Sequence, residues 1–182
     1  MSFFIDYFNT ICEKIKNVDL NMLNQAAEMI TLTSQDGGKT IIVGNGGSAA
    51  IASHVSVDLT KNAKIRAVNF NEADLLTCFS NDYGYERWVE KAIEFYADSG
   101  DLLILISSSG TSKNIVNGGR KAKEMGLQLI TFSGFNANNP LKQLGDINFC
   151  VESKAYNTIE MTHSIWLLAI VDQIIGSMEY PA

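Results

Sequence analysis

The sequence DLLILISSSGTS at residues 101–112 joins an uninterrupted apolar run to a six-residue loop in which five residues carry hydroxyl groups. An apolar run of this length that ends in a turn signal is typical of a strand buried on both faces, as in a parallel sheet. The hydroxyl-rich loop leads into a predicted helix at Lys113–Met125. We therefore predict a strand at Asp101–Ile106 whose carboxyl end presents polar groups at the edge of a parallel sheet.

The same alternation of strands and helices extends through the rest of the chain. The other predicted strands are Thr40–Val43, Lys64–Phe70, Gln128–Ser133 and Ile147–Val151. The other predicted helical segments are 3–33 (with two apolar runs), Ala49–Leu59, Asn71–Phe79, Tyr85–Ala97 and Thr158–Met178. Apolar strands separated by helices form a parallel sheet that helices cover on both faces. We expect one doubly wound α/β domain over residues 1–182, with a helical arm at 1–36.

The charge of the chain limits its partners. A net charge of −6 argues against non-specific binding of nucleic acid, which needs a positive surface to replace the counterions of the phosphates. An anionic ligand must then be held by local backbone donors and hydroxyl groups. We expect a small-molecule ligand and no nucleic-acid partner.

Cysteine usage and hydropathy predict in which compartment of the cell the protein is located. Cys12, Cys78 and Cys150 are odd in number and widely scattered, so we expect reduced, mostly buried thiols. The N-terminus lacks the basic and apolar regions of a signal peptide, and the apolar stretch Ile165–Val171 is too short to span a bilayer. We therefore expect a cytoplasmic protein that does not enter a membrane.

A second polar loop, Gly44–Ser48 (GNGGS), follows the predicted strand Thr40–Val43. Its glycines allow backbone N–H groups to approach an anion, and the start of the next helix adds a partial positive charge. A tight turn without a ligand is the alternative interpretation. The loop matches neither GxGxxG nor a Walker sequence, so a dinucleotide or a nucleoside triphosphate is disfavoured.

The hydroxyl-rich loop Ser107–Ser112 is a stronger indication of an anion site. One or two of its five hydroxyl groups would be enough to cap the following helix. The remaining hydroxyl groups favour a cradle for a phosphate monoester at a helix N-terminus.

Four segments together resemble the SIS (sugar isomerase) family, and specifically its phosphoheptose isomerase branch. They are Val43–Ser48, His54–Thr60, Ser80–Tyr85 and Ile106–Ser112, and they occur in the order and spacing of that family. The resemblance implies a flavodoxin-like fold and a homotetramer whose active sites are shared between subunits. It also implies isomerisation of sedoheptulose 7-phosphate to an aldoheptose 7-phosphate, which supplies heptose for surface polysaccharide.

The resemblance also implies a set of substrate-binding residues. Those expected at the phosphate and its neighbouring hydroxyls are Ser48, Ser107, Ser108, Ser109 and Ser112. Those expected around the sugar are Asn45, Gly46, Gly47, Asn81 and Asp82.

Proton transfer between adjacent carbons through an enediol(ate) needs an acid and a base beside the carbonyl group. At the positions where the family has a His and a Glu four residues apart, this chain has His54 and Asp58. On the final helix, Glu160 stands where the family has Gln, His163 follows three residues later, and Leu168 replaces the family's second His. The expected catalytic residues are Asp58, Glu160 and His163, and a zinc ion, if one is bound, would use His54, Asp58 and Glu160.

Two functions from different classes therefore stay open. Asp58 and Glu160 favour an isomerase with an altered proton-transfer set. Leu168 favours a non-catalytic phosphosugar-binding protein that acts as a sensor or as a scaffold for other proteins.

Overall fold

The computed structural model describes residues 2–180 and consists of a parallel sheet with helices on both faces. The strands are β1 Thr40–Gly44, β2 Ala67–Asn69, β3 Leu102–Ser107, β4 Gln128–Gly134 and β5 Ile147–Val151. The helices are α1 Phe3–Lys16, α2 Leu20–Gln35, α3 Gly47–Lys61, α4 Ala73–Tyr83, α5 Trp88–Tyr96, α6 Lys113–Glu124 and α7 Tyr156–Ile175.

The five strands lie in the order β2-β1-β3-β4-β5, and every neighbouring pair is parallel. This is the strand order of flavodoxin-like folds, so the predicted fold class is confirmed. In such a sheet the chain order reverses beside β1, and β1 and β3 are neighbours. The loops after these two strands therefore meet at the carboxyl edge of the sheet.

Side chains along each strand alternate between the two faces of the sheet, and this alternation divides the core into two layers. Along β3, Leu102, Ile104 and Ile106 face the layer that includes α2, α3 and α7. Leu103 and Leu105 face the layer formed with α5 and α6. All five side chains are fully buried, which agrees with the uninterrupted apolar run in the sequence.

The N-terminal arm differs from the predicted segment at 3–33, because the helix is interrupted at residues 17–19. The side chain of Asp19 accepts a hydrogen bond from the N–H of Asn21 at 2.9 Å and so starts a new helix at Leu20. α1 contacts α7, where Trp166 donates from Nε1 to the carbonyl oxygen of Ile15 at 2.8 Å. No residue of α1 is buried.

The expectation of mostly buried thiols is wrong. Cys12 and Cys78 are exposed and Cys150 is half-buried. The first two lie on α1 and α4, and neither helix has a buried residue. Over residues 2–180, the fold contains no helix with the length and hydropathy needed to cross a membrane.

Candidate functional site

A cavity of about 110 Å³ lies at the carboxyl edge of β1 and β3. Its lining consists of Asn45, Ser48, Ile106, Ser107, Ser108, Ser109, Ser112, Tyr156 and Glu160. The cavity therefore joins the two polar loops predicted from the sequence to the first turns of α7. A larger cavity of about 560 Å³ opens among the amino ends of the strands, but its lining includes Glu28, Asp36 and Asp101 and is unsuited to an anion.

Three helices start at the small cavity, and most of their first N–H groups are free to bind an anion; that of Ser48 donates to the carbonyl oxygen of Asn45 at 3.0 Å. The N-cap residues of α3, α6 and α7 are Gly46, Ser112 and Ala155, and within residues 2–180 none of them makes a side-chain capping bond. The first N–H groups of these helices therefore lack the partner that a capping side chain supplies. Together with the helix dipoles they favour a bound phosphate or carboxylate.

The serine loop is ordered by bonds among its own hydroxyl groups. Ser107 Oγ donates to Ser112 Oγ at 3.2 Å, and Thr111 donates from its N–H and its Oγ1 to Ser109 Oγ at 3.2 and 3.0 Å. Ser107 and Ser108 are buried although they are polar. The hydroxyl groups are thus prearranged around the cavity rather than used to cap α6.

Glu160 places a carboxylate where the two loops meet. Its Oε1 accepts a hydrogen bond from Ser108 Oγ at 3.3 Å. The carboxylate also lies so close to the α carbon of Gly47 that a Cβ atom at this position would overlap with it. The absence of a side chain at Gly47 therefore allows this close approach, and Gly46, with φ of +54°, provides the left-handed turn that precedes it.

Asn45 is held by Asn114 and Tyr85, neither of which was predicted as a site residue. Its side-chain amide forms a reciprocal pair with Asn114 on α6, at N–O distances of 2.8 and 3.0 Å. Tyr85 donates from its hydroxyl to Asn45 Oδ1 at 3.1 Å. Asn114 is 2% exposed and its partner lies in another loop, so no pattern along the sequence marked it as a site residue.

The structure does not bring Asn81 and Asp82 to the cavity. Both side chains are exposed on α4, where Asn81 Nδ2 donates to Asp82 Oδ1 at 2.9 Å. Neither residue belongs to the cavity lining. Their predicted contact with the sugar stays a prediction.

His54 and Asp58 form a pair on α3, outside the cavity lining of the same chain. His54 Nε2 lies 3.3 Å from Asp58 Oδ2, and Asn62 Nδ2 donates to Asp58 Oδ1 at 3.2 Å. Glu160 does not join this pair, and nowhere between residues 2 and 180 do three His, Cys, Asp or Glu side chains gather closely enough to hold a metal ion. The predicted ligands His54, Asp58 and Glu160 thus do not form a zinc site within one chain.

His163 lies in the core and not at the cavity. Its Nε2 is 2.9 Å from the carbonyl oxygen of Ser133, which can only accept, so Nε2 carries the proton of a neutral ring. Its ring packs against Phe132 and Trp166, and its Nδ1 lacks a hydrogen-bond partner among the described residues. Burial lowers the pKa of His163 to about 4, and the bond to Ser133 opposes this shift only in part. Its predicted role in proton transfer stays a prediction.

Comparisons with known proteins agree on one family. The family model described as SIS domain matches residues 3–134. A phosphoheptose isomerase of Aliarcobacter butzleri is 32% identical over 169 residues, which cover 90% of this chain and 88% of that protein. A phosphoheptose isomerase of Helicobacter pylori is 33% identical over 159 residues, with 84% and 82% covered.

A solved structure supports the same assignment. The phosphoheptose isomerase GmhA of Neisseria gonorrhoeae superposes with a TM-score of 0.86 at 28% identity, and the match covers 94% of each chain. The similarity therefore extends over the sheet, the helical arm and the final helix. The chain belongs to the SIS domain family, in its phosphoheptose isomerase branch.

Proposed function

We propose that the protein is an aldose–ketose isomerase that interconverts sedoheptulose 7-phosphate and an aldoheptose 7-phosphate. The observation that carries this proposal is the cavity in which three uncapped helix N-termini and four serines of one loop surround a space next to Glu160. The relatives named phosphoheptose isomerase support the choice of substrate. We assign the product to the synthesis of heptose for surface polysaccharide.

The phosphate of the substrate binds in the serine loop. Ser107, Ser108, Ser109 and Ser112 supply hydroxyl donors, Ser48 supplies a further one from α3, and the free N–H groups add backbone donors. These donors are neutral, so the ester is released without breaking an ion pair. They also act at short range, which is necessary because a chain with a net charge of −6 does not attract an anion from a distance.

Glu160 is the group that we assign to proton transfer at the cavity. A carboxylate can take the proton from the carbon next to the carbonyl group, which gives an enediol(ate), and can return it to the neighbouring carbon. The electrons stay within the substrate, so the reaction needs no external oxidant or reductant. The bond from Ser108 and the contact with Gly47 fix the direction of the carboxylate.

Asp58, paired with His54, is the candidate for the second acid–base group. The cavity of one chain, at about 110 Å³, is smaller than the roughly 300–1,000 Å³ of ordinary ligand pockets. A seven-carbon substrate therefore extends beyond it, toward a neighbouring subunit. Asp58 lies eleven residues along α3 from Gly47, about 16 Å away in the same chain, so it can act only on a sugar bound to another copy. No step is assigned to a metal ion, because within residues 2–180 of one chain His54, Asp58 and Glu160 do not form a site.

We infer a cytoplasmic homotetramer with active sites shared between subunits. The exposed aromatic face of α1, which includes Phe4 at 65% and Phe8 at 60% exposure, supports association between copies. The free thiols of Cys12, Cys78 and Cys150 support a reducing compartment.

The non-catalytic alternative, a sensor or scaffold, is not favoured by relatives that are named as isomerases. The two functions are separated by incubating the purified protein with sedoheptulose 7-phosphate. An isomerase produces an aldoheptose phosphate, whereas a pure binding protein is stabilised by the ligand and leaves it unchanged.

A further inference from the structure

Tyr156 is a lining residue whose role the fold does not explain. Of the nine side chains that line the cavity it alone is aromatic, and 57% of its surface is exposed. It lies in the first turn of α7, one helical turn before Glu160, so both side chains face the same side of the helix. An aromatic ring this exposed to solvent contributes little to the packing of the hydrophobic core.

The ring of Tyr156 is held in place by Phe135. The two ring centroids are 5.0 Å apart at an interplanar angle of 67°, an edge-to-face arrangement. Phe135 has φ of +60°, a conformation that costs a side chain of this kind about 1–2 kcal/mol. Its N–H donates to the carbonyl oxygen of Ser153 at 3.1 Å, which ties the end of β4 to the segment that enters α7. Strain maintained at the edge of a ligand site points to a functional purpose.

We propose that Tyr156, positioned by Phe135, determines specificity by packing its ring against the carbon chain of the bound phosphosugar. This inference rests on the proposed function. The serines and the helix N-termini already supply donors for the phosphate, whereas the ring supplies an apolar face that matches the C–H groups of a sugar. Tyr156 thus distinguishes a phosphosugar from free phosphate, while the serine loop binds both.

The test compares two ligands by titration calorimetry on the full-length protein, sedoheptulose 7-phosphate and inorganic phosphate. Tyr156→Ala should weaken binding of the sugar phosphate about three- to tenfold and leave binding of inorganic phosphate unchanged. Tyr156→Phe should bind both ligands like the unaltered protein, because the ring and not the hydroxyl makes the contact.

A matched control is Tyr96→Ala. Tyr96 is also a half-exposed tyrosine with an aromatic partner, Phe70, at 5.6 Å, but it is not part of the cavity lining. Its removal should change neither affinity.

Two results would overturn the inference. One is a loss of both affinities in Tyr156→Ala, which would mean that the residue supports the phosphate loop. The other is full retention of sugar-phosphate affinity. If the unaltered protein binds the sugar phosphate without converting it, the proposed reaction fails, while the two affinities still decide the role of Tyr156.

Discussion

At the scale of single residues, the site depends on contacts between segments that are distant in the sequence. The residue types at Gly47 and Glu160 were predicted to be functional, but their contact was not, because spacing along a chain does not give a distance between two elements. The same limit applies to Asn114, whose partner Asn45 lies in another loop. The residues within one loop, such as Ser107 and Ser112, were predictable as a group because they are adjacent.

Glu160→Gln tests the assignment of the proton-transfer group. The amide keeps the size of the side chain and can still accept the bond from Ser108, but it cannot take up a proton. We expect kcat to fall about 10²- to 10⁴-fold with little change in the affinity for sedoheptulose 7-phosphate. Steady-state kinetics and calorimetry measure the two quantities, and an active Glu160→Gln enzyme would rule out this role.

His163 should make the stability of the protein depend on pH. Its pKa is lowered from 6.5 to about 4 in the folded chain, so the unfolded chain binds this proton at a higher pH. The free energy of unfolding therefore falls as the pH drops from 6.5 toward 4, by about 3 kcal/mol for a shift of this size. Above pH 6.5 the contribution is complete and constant.

Urea unfolding at a series of pH values measures this dependence. His163→Gln cannot titrate and can still donate to Ser133, so its unfolding free energy should fall less between pH 6.5 and 4 than that of the unaltered protein. Carboxylates titrate equally in both proteins and cancel in the difference. If the unfolding free energies of the two proteins changed in parallel with pH, His163 would not titrate as its burial requires.

At the scale of the elements, the strands were predicted more closely than the helical arm. Thr40–Val43, Gln128–Ser133 and Ile147–Val151 agree with β1, β4 and β5 within one residue, because buried parallel strands are apolar throughout. The predicted strand at Lys64–Phe70 was too long, since Lys64 has φ of +60° and β2 begins only at Ala67. The interruption between α1 and α2 was not predicted, because apolar residues at helical spacing continue on both sides of Asp19.

The amide pair between Asn45 and Asn114 connects the loop after β1 to α6, and its loss should affect both loops. Asn114→Ala removes a buried amide and leaves the half-buried side chain of Asn45 with only its bond from Tyr85. We expect the free energy of unfolding to fall by about 1–3 kcal/mol and kcat/KM to fall with it.

The control for this variant is Asn117→Ala on the same helix, where Nδ2 donates to the carbonyl oxygen of Glu86 at 2.9 Å near the surface. In this variant the free energy of unfolding should fall by about 0.5 kcal/mol or less. Equal effects of the two substitutions in thermal and urea unfolding would refute a special role of the pair.

At the scale of the whole molecule, the N-terminal arm has an exposed apolar face that nothing else within residues 2–180 covers. Phe3, Phe4 and Phe8 are each at least 60% exposed, and the rings of Phe4 and Phe8 are stacked at 6.5 Å. The sequence predicted the helical character of the arm and its apolar excess. It did not decide between association of copies and packing on its own domain, and the structure now shows that α1 leaves these rings uncovered.

A double substitution Phe4→Asp and Phe8→Asp should dissociate the assembly. Charges on this face oppose the burial of apolar surface between copies, so sedimentation velocity should show a smaller mass than for the unaltered protein. Asn9→Asp adds a charge to the same helix away from the stacked rings and should keep the mass unchanged. An unchanged mass in the double variant would exclude this face as the interface.

The central claim, isomerase chemistry at a site that lacks the second histidine of the family, is tested most directly by proton exchange. The purified full-length protein is incubated with sedoheptulose 7-phosphate in deuterated buffer, without and with added zinc, and the sugar is followed by NMR. An isomerase should produce an aldoheptose phosphate, with deuterium at the carbon next to the carbonyl group. An unchanged sugar without deuterium under both conditions, together with clear stabilisation of the protein by the ligand, would contradict this claim.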